Sequence, residues 1–467
     1  VQVSTDLHLT EPSRVLDADI FADAMAAFGL KAGARIAVGV SGGGDSMALV
    51  RLLAPWARAR DIDIKAITVD HGLRVEAAAE ARQVAAWLAP LAIPHTVLAW
   101  EEGAQERKDR SPQKAARTAR YGLMAACCAA EGRSHLFLAH HADDQVETFL
   151  IRLTRGSGVS GLAAMAPLAA LNTAQGPVLL ARPLLSFAKA DLTAVCRDLG
   201  QSWIEDPSNT NAAATRVRFR QAARLLEEEG LTRARLLETI GHMQRARTAL
   251  DAAAAHLIRT ATAWDHFGAV RLVLKAWRDA PEEVALRALS RLLTAASGHV
   301  YGPRFESLTR LARQMSTGPW RDATLHGCVI ARDGDCIVIH REAAQVDHVC
   351  VVKAGETVIW DGRFRICVPE KITDERNSEM SWGPFRIAPW TGEDFASADA
   401  LMAAEVPRRL RATLPALYDS FGAAFIPHAG FVRGDLAAAG AKAPEVACIP
   451  ALSPAAGPQP LEDFVMS

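Results

Sequence analysis

Three consecutive glycines flanked by serines, in the run Ser41-Gly42-Gly43-Gly44-Asp45-Ser46, leave this chain few ways to build the turn they occupy. The run stands between the apolar stretch Arg35–Val40 and the helix-like stretch Met47–Leu53. A buried strand that ends in glycines and serines and opens into a helix presents bare backbone N–H groups at a helix N-terminus, where the aligned peptide dipoles favour an anion. Without Cβ atoms the backbone can curl around a phosphate, the hydroxyls of Ser41 and Ser46 can donate to it, and Asp45 can help hold Mg²⁺. The Gly-Lys-Ser/Thr ending of a P-loop is missing, as is the wider glycine spacing of a dinucleotide fingerprint. The stretch therefore reads as a phosphate cradle of another kind, set against the plain alternative of a glycine turn without a ligand.

From about residue 33 to 205, short strand-like runs alternate with helical ones. The strand candidates are Arg35–Val40, Ile64–Val69, His95–Ala99, His135–Ala139 and Val178–Ala181. This pattern predicts an α/β fold with a Rossmann-like parallel sheet, in which ligands lie beyond the carboxyl ends of the strands. Three domains are expected: residues 1–224 for the sheet, 225–342 mainly helical and binding RNA, and 343–467 a small α+β module; the change to β-branched runs starts with Cys336–His340 and goes on in Phe364–Val368.

Length and composition agree with a globular protein of two or three domains, since the 467 residues are 50% hydrophobic and 22% charged. No run of about 18 apolar residues is present and the first residues lack the basic-then-apolar order of a signal peptide, so no membrane and a cytosolic location are expected. The eight cysteines contain no Cys-x-x-Cys pair, which gives no support to a zinc ribbon or a redox dithiol. A formal net charge of -1 argues mildly against a nucleic-acid partner, yet phosphate binding depends on local patches. Two such patches stand out: Arg107, Lys108, Arg110, Lys114, Arg117 and Arg120, and then Arg216, Arg218, Arg220 and Arg224. Phosphate contact and a solvated helix face are both open readings of each.

Two further constellations sit at strand ends. Asp70 and His71 close the run Ile67–Arg74, where a strand beside the phosphate loop can pair its backbone with an adenine edge. The second is Ala139–Thr148, in which a strand ends and a helix begins. Asp144 and Glu147 lie three apart and share a helix face, with His140 at the strand end above them. Such a pair can hold an amine, while acids near a helix start also serve simply to complement its dipole. A zinc site from His140, His141 and the acids matches no familiar ligand spacing.

The six-residue loop resembles that of ATP enzymes that cut between the α and β phosphates. Taken with Val69–Arg74 and His140–Thr148, it closely resembles the tRNA(Ile)-lysidine synthetase family, a branch of the PP-loop ATP pyrophosphatases. Ala115–Tyr121, Arg155–Gly158, Arg182–Leu185, and Trp203 through Asp206–Asn209 to Arg216–Arg220 stand in the family's order. The resemblance is specific over about residues 33–224 and architectural beyond.

It implies a ligase with two steps. The carbonyl oxygen of the wobble cytidine in a CAU-anticodon isoleucine tRNA attacks the α-phosphate of ATP, and the ε-amine of free L-lysine then displaces AMP. It further implies ATP contacts from Ser41, Gly42, Gly43, Gly44, Asp45, Ser46, Asp70 and His71, with Mg²⁺ at Asp45. Asp45, His140, Asp144, Glu147 and Arg117 would carry the chemistry, and Arg216, Arg218 and Arg220 would meet the tRNA. A homodimer is left open. The nearest rival is a PP-loop tRNA thiolase, which would need sulfur chemistry from Cys127-Cys128; a non-catalytic nucleotide sensor leaves Asp144 and Glu147 without a task.

Overall fold

Ile36, Ala37 and Val38 have no exposed surface at all, so the strand that carries them, β1 (Arg35–Gly39), runs through the middle of its sheet. Strands covered on both faces carry continuous apolar runs. The structure is a computed structural model that describes residues 16–70, 77–100, 112–173, 176–205, 227–299, 301–317, 321–369, 384–391, 406–438 and 442–449. These residues fall into two compact units that divide between Thr248 and Ala249.

In the first unit β1 is joined by β2 (Asp63–Asp70), β3 (His95–Ala99), β4 (His135–Phe137), β5 (Leu168–Thr173) and β6 (Gly176–Ala181). The sheet order is β3-β2-β1-β4-β6-β5. All neighbouring pairs are parallel except β5 and β6, which form an antiparallel hairpin at the edge. The expected parallel strands are present; the added β5 was not anticipated, because Leu168–Thr173 carries neither alternation nor a turn dipeptide that would mark it.

The chain winds outward from β1 through β2 to β3 and then returns to β4 on the other side of β1. The crevice of a doubly wound sheet opens at this reversal, beyond the carboxyl ends of β1 and β4. One face of the sheet is covered by α1 (Ala18–Ala26), α2 (Gly44–Arg58), α3 (Ala77–Leu88) and a later helix, with Phe21, Met47, Leu53, Val84, Leu192 and Cys196 buried there. The other face is covered by α4 (Pro112–Ala130), whose Tyr121, Met124 and Cys128 pack on Ile67 and Leu136. Next come α5 (Ala142–Thr154), α6 (Val159–Leu162), α7 (Lys189–Asp198) and α8 (Arg233–Ala261), with Val146, Phe149, Leu236 and Ile240 in a smaller core.

In the second unit, α9 (Leu274–Asp279), α10 (Glu282–Ser297) and α11 (Phe305–Ser316) accompany an antiparallel sheet. That sheet has the order β7-β8-β11-β10-β9, from β7 (Thr262–Trp264), β8 (Val270–Val273), β9 (Ala323–Leu325), β10 (Cys328–Asp333) and β11 (Cys336–Arg341). A five-stranded and a three-stranded antiparallel sheet follow between Cys350 and Cys448. A buried knot organises the turn at Asp361, which has φ +49° and accepts hydrogen bonds from Arg341 (3.1 Å) and Arg363 (2.7 Å). Gly298 and Gly362 pass so closely there that a Cβ on Gly298 would lie 2.0 Å from the Asp361 carbonyl oxygen.

At the amino ends of the central strands, away from the crevice, Arg133 is 5% exposed and ties the sheet together. It donates to the Glu131 carboxylate (2.9 Å) and to the Ile36 carbonyl (2.9 Å), and it pairs with Asp63 (3.3 Å). Lys65 bonds the same Glu131 carboxylate. Hydrogen bonds from Lys65 and Arg133 pull the Glu131 carboxyl down to about 2 from its ordinary 4.5. A depressed carboxylate stabilises the fold fully above its unfolded value and loses that contribution as the pH falls through its folded one. Acid unfolding followed by urea titration should therefore show stability lost between about pH 4.5 and 2. Glu131→Gln should remove on the order of 1–2 kcal/mol at neutral pH and flatten that stretch of the profile.

Candidate active site

Beyond β1 the strand ladder ends, and a side chain takes over its hydrogen bonding. The Val40 N–H still donates to the Ile67 carbonyl (2.9 Å), but the Val40 carbonyl is met by the Thr68 hydroxyl (2.7 Å). That hydroxyl has one proton and has given it, so the His95 ring Nε2, 2.8 Å away, donates to it in turn. The loop thus leaves β1 from a braced position.

Gly42 follows with φ +83°, and a Cβ there would come within 2.7 Å of Ile204 Cδ1 and 2.9 Å of Val84 Cγ2. Its carbonyl accepts the Ile204 N–H (2.9 Å), while a Cβ on Gly44 would meet the Trp203 ring at 3.5 Å. Ser46 is buried and turned inward: its hydroxyl donates to the Gly43 carbonyl (2.9 Å) and accepts the Ser41 N–H (3.2 Å). The Ser41 hydroxyl stands 3.3 Å from that of Ser46. Gly43 is the extended residue before α2 and no side chain caps the helix start. A helix start without a side-chain cap is a place where an anion can be met by backbone N–H groups.

Beyond β4, the start of α5 brings acids and a base to the same crevice. Asp144 accepts the backbone N–H of His141 (3.1 Å), and the Ala142 N–H donates to the Phe187 carbonyl (2.8 Å). The His141 ring, 2% exposed, sits among three carboxylates. Its Nε2 is 3.5 Å from Asp45 and 3.5 Å from Asp144, and its Nδ1 is 3.5 Å from Asp143. Burial acts to strip the ring of its proton, but the carboxylates of Asp143, Asp45 and Asp144 outweigh it and push the imidazole up to about 10. His141 is therefore a cation at neutral pH. Burial works against ionisation of Asp143 as well, and its bonds to His141 and to the Lys189 N–H hold its carboxyl far below the usual range.

The structure joins Asp45 of the loop to Asp144 of α5, two residues more than ninety positions apart, through His141. Glu147 lies one turn further along α5 and is buried, and His140 is half-buried at the strand end. Asp70 closes β2, with its carbonyl taking the Trp100 N–H (2.9 Å). Arg117 belongs to α4, although its side chain lies outside the described residues. His71, Arg216, Arg218 and Arg220 also lie outside them. Sequence reasoning missed His141 as the tie between the acids, and it missed Thr68 and Lys189. Only the pairing of strands and helices shows these three, since no motif spacing distinguishes His141 from His140. The matched Arg182 is 1% exposed and donates to the Ala166 carbonyl (2.6 Å), bracing the backbone before β5.

Comparison with known proteins bears on the fold and the family. A family model described as the PP-loop domain matches residues 17–227. A tRNA(Ile)-lysidine synthase from Ruegeria pomeroyi is 37% identical over 370 residues, which cover 78% of this chain and 84% of that protein. One from Wolbachia pipientis wMel is 34% identical, with 71% and 76% covered. One from Hyphomonas neptunium is 41% identical, with 63% and 78% covered.

Two substitutions probe the site. His141→Leu removes the buried cation between Asp45, Asp143 and Asp144 and leaves only the half-exposed Lys189 and Arg233 to face them, and urea unfolding should show a loss of about 3 kcal/mol. Gly42→Ala should cost about 1–3 kcal/mol in the same measurement, because its Cβ is both strained by φ and blocked by Ile204 and Val84.

Proposed function

The chain belongs to the tRNA(Ile)-lysidine synthase family, and from that premise we propose that it joins L-lysine to the wobble cytidine of a CAU-anticodon tRNA(Ile) at the expense of ATP, releasing AMP and diphosphate. The observation that carries this reading is the meeting of an uncapped loop at Gly43 with the Asp45–His141–Asp144 cluster at the reversal of the sheet. The loop amides receive phosphate charge, and the acids of α5 receive amines.

In the first step the cytosine O2 bonds to the α-phosphorus and the bond from that phosphorus to the β-phosphate oxygen breaks. The departing oxygen keeps the electron pair, so diphosphate gains a negative charge and the ring takes a positive one. Preorganised N–H donors at the start of α2 stabilise that growing charge without having to reorganise. Asp45, whose carboxylate stays about one third exposed beside His141 and Lys189, would be the residue to hold a magnesium ion. Magnesium binds through one or two carboxylates together with phosphate oxygens, and among the described residues no cluster of three ligand side chains is needed or present. When bound, the ion would neutralise phosphate charge. Asp70, the last residue of β2, and His71, the next in sequence, would contact the adenine side of the nucleotide.

In the second step the lysine ε-amine bonds to the ring carbon, the carbon–oxygen bond breaks, and AMP leaves with the electron pair. One proton must leave the amine. Asp144 and Glu147 anchor the substrate ammonium groups, one of them taking that proton with His140 nearby, and Arg117 holds either phosphate or the lysine carboxylate. Arg216, Arg218 and Arg220, with the domains at 225–342 and 343–467, contact the tRNA.

Sulfur transfer fits the cysteines poorly. The thiol at Cys128 is fully buried and pushed up to about 12, and burial also raises that of Cys127, so neither offers a thiolate at neutral pH.

With ATP and unmodified CAU-anticodon tRNA(Ile), the protein should incorporate labelled lysine and leave matched methionine tRNA unlabelled. Asp45→Ala should abolish ATP–diphosphate exchange and incorporation together. Asp144→Asn should lower incorporation by about 100-fold or more while exchange persists. Wild-type protein that transfers labelled sulfide, or that transfers no lysine to this tRNA, would overturn the proposal.

A further inference from the structure

The loop at 41–46 lacks the lysine that a P-loop places on its phosphates. A lysine nonetheless reaches the loop from another part of the fold. Helix α7 packs beside α2, with the Cys196 thiol bonded to the Gly44 carbonyl (3.4 Å) and Leu192 in the same core as Met47. Its first residue is Lys189, whose backbone N–H donates to Asp143 (2.8 Å). That bond fixes the start of α7 to the start of α5. The Lys189 ammonium then lies 4.0 Å from the Asp45 carboxylate, with its side chain 48% exposed.

These contacts separate Lys189 from the other cations of the cluster. His141 is enclosed by three carboxylates and 2% exposed, so its charge is committed to holding them in place. Arg233 pairs with Asp143 at 3.5 Å, and among the described residues it forms no ion pair with Asp45. Lys189 has one ion pair among the described residues, at the 4.0 Å limit of such a contact and half in solvent. A pair of that kind contributes little to stability. It also leaves a flexible four-carbon stem free to swing its ammonium onto a new anion.

We propose that Lys189 is a catalytic residue of the adenylation step, the cation that the loop itself lacks, and that it contacts the β-phosphate side of ATP when the nucleotide enters the cradle. This rests on the proposed reading of the site as one that cleaves ATP between the α and β phosphates. As the bond to the bridging oxygen breaks, that oxygen takes the electron pair and diphosphate gains one negative charge. An ammonium beside it is worth more in the transition state than in the ground state, which raises the rate rather than the affinity.

The test is single-turnover adenylation of tRNA, followed by ATP–diphosphate exchange and thermal unfolding, for wild type, Lys189→Met and Lys189→Arg. Lys189→Met should slow adenylation about 100-fold while the ATP concentration at half-maximal rate changes less than about fivefold. Lys189→Arg should recover most of the rate, and both variants should unfold within about 2 °C of wild type. If wild type exchanges diphosphate and Lys189→Met does so at the same rate, the proposal for Lys189 is overturned while the reading of the site stands. A Lys189→Met defect that comes with a large fall in unfolding temperature, or one that arginine does not repair, overturns it in favour of a structural role. If wild type itself shows no exchange with ATP and tRNA, the reading of the site has failed.

Discussion

One buried imidazole holds the loop end of the first unit together. His141 stands among the carboxylates of Asp45, Asp143 and Asp144, and it keeps its proton although burial opposes it. Removing ions from water costs several kcal/mol each, and the cost is offset only where opposite charges meet with few groups left unpaired. Asp45 starts α2, Asp143 and Asp144 start α5, Lys189 starts α7 and Arg233 starts α8. Four helices thus begin around one cluster. The three acids also sit where helix dipoles favour negative charge, so geometry and electrostatics act in the same direction.

The other turning points of the chain use the same device. At the amino ends of the strands Arg133 joins β1, β2 and the end of α4 through the Ile36 carbonyl, Asp63 and Glu131. In the second unit Asp361 takes two arginines, one of them 1% exposed, beside a glycine contact too close for any side chain. These knots sit where irregular backbone must be held without a ladder of strand hydrogen bonds. The loop at 41–46 differs in having no side-chain cap at the start of α2, and its hydroxyls and the Thr68–His95 pair brace the backbone. A site that must receive a highly charged ligand can then meet it with little rearrangement.

The parallel sheet was legible because Arg35–Gly39, His95–Ala99 and their neighbours are short apolar runs bounded by turns, and such runs are what a sheet covered on both faces requires. The edge strand β5 was not, since an outer hairpin pairs through backbone alone and its residues Leu168–Thr173 carry no distinctive pattern. In the sheet β7-β8-β11-β10-β9 the run Cys336–His340 was legible, whereas β7 and β8 were hidden for a related reason. They are three and four residues long and lie between the 29-residue α8 and the helices α9 and α10, whose alanine and leucine content dominates the segment. At the site, the loop and the Asp144–Glu147 pair could be read from spacing, whereas the neighbour of Asp45 could not.

Local chemistry written in the chain settles a good deal: glycines that permit φ +83° at Gly42, acids placed at helix starts, and apolar runs that must be buried. Those properties depend on a residue and its near neighbours, so they survive in a linear string. Which of two adjacent histidines stands between Asp45 and Asp144, and that a lysine 144 positions after Asp45 returns to it, depend on the reversal of strand order between β1 and β4 and on α7 packing against α2. Contacts of that kind arise only when distant segments share a core, and the side chains that make them carry no mark of it in their own surroundings.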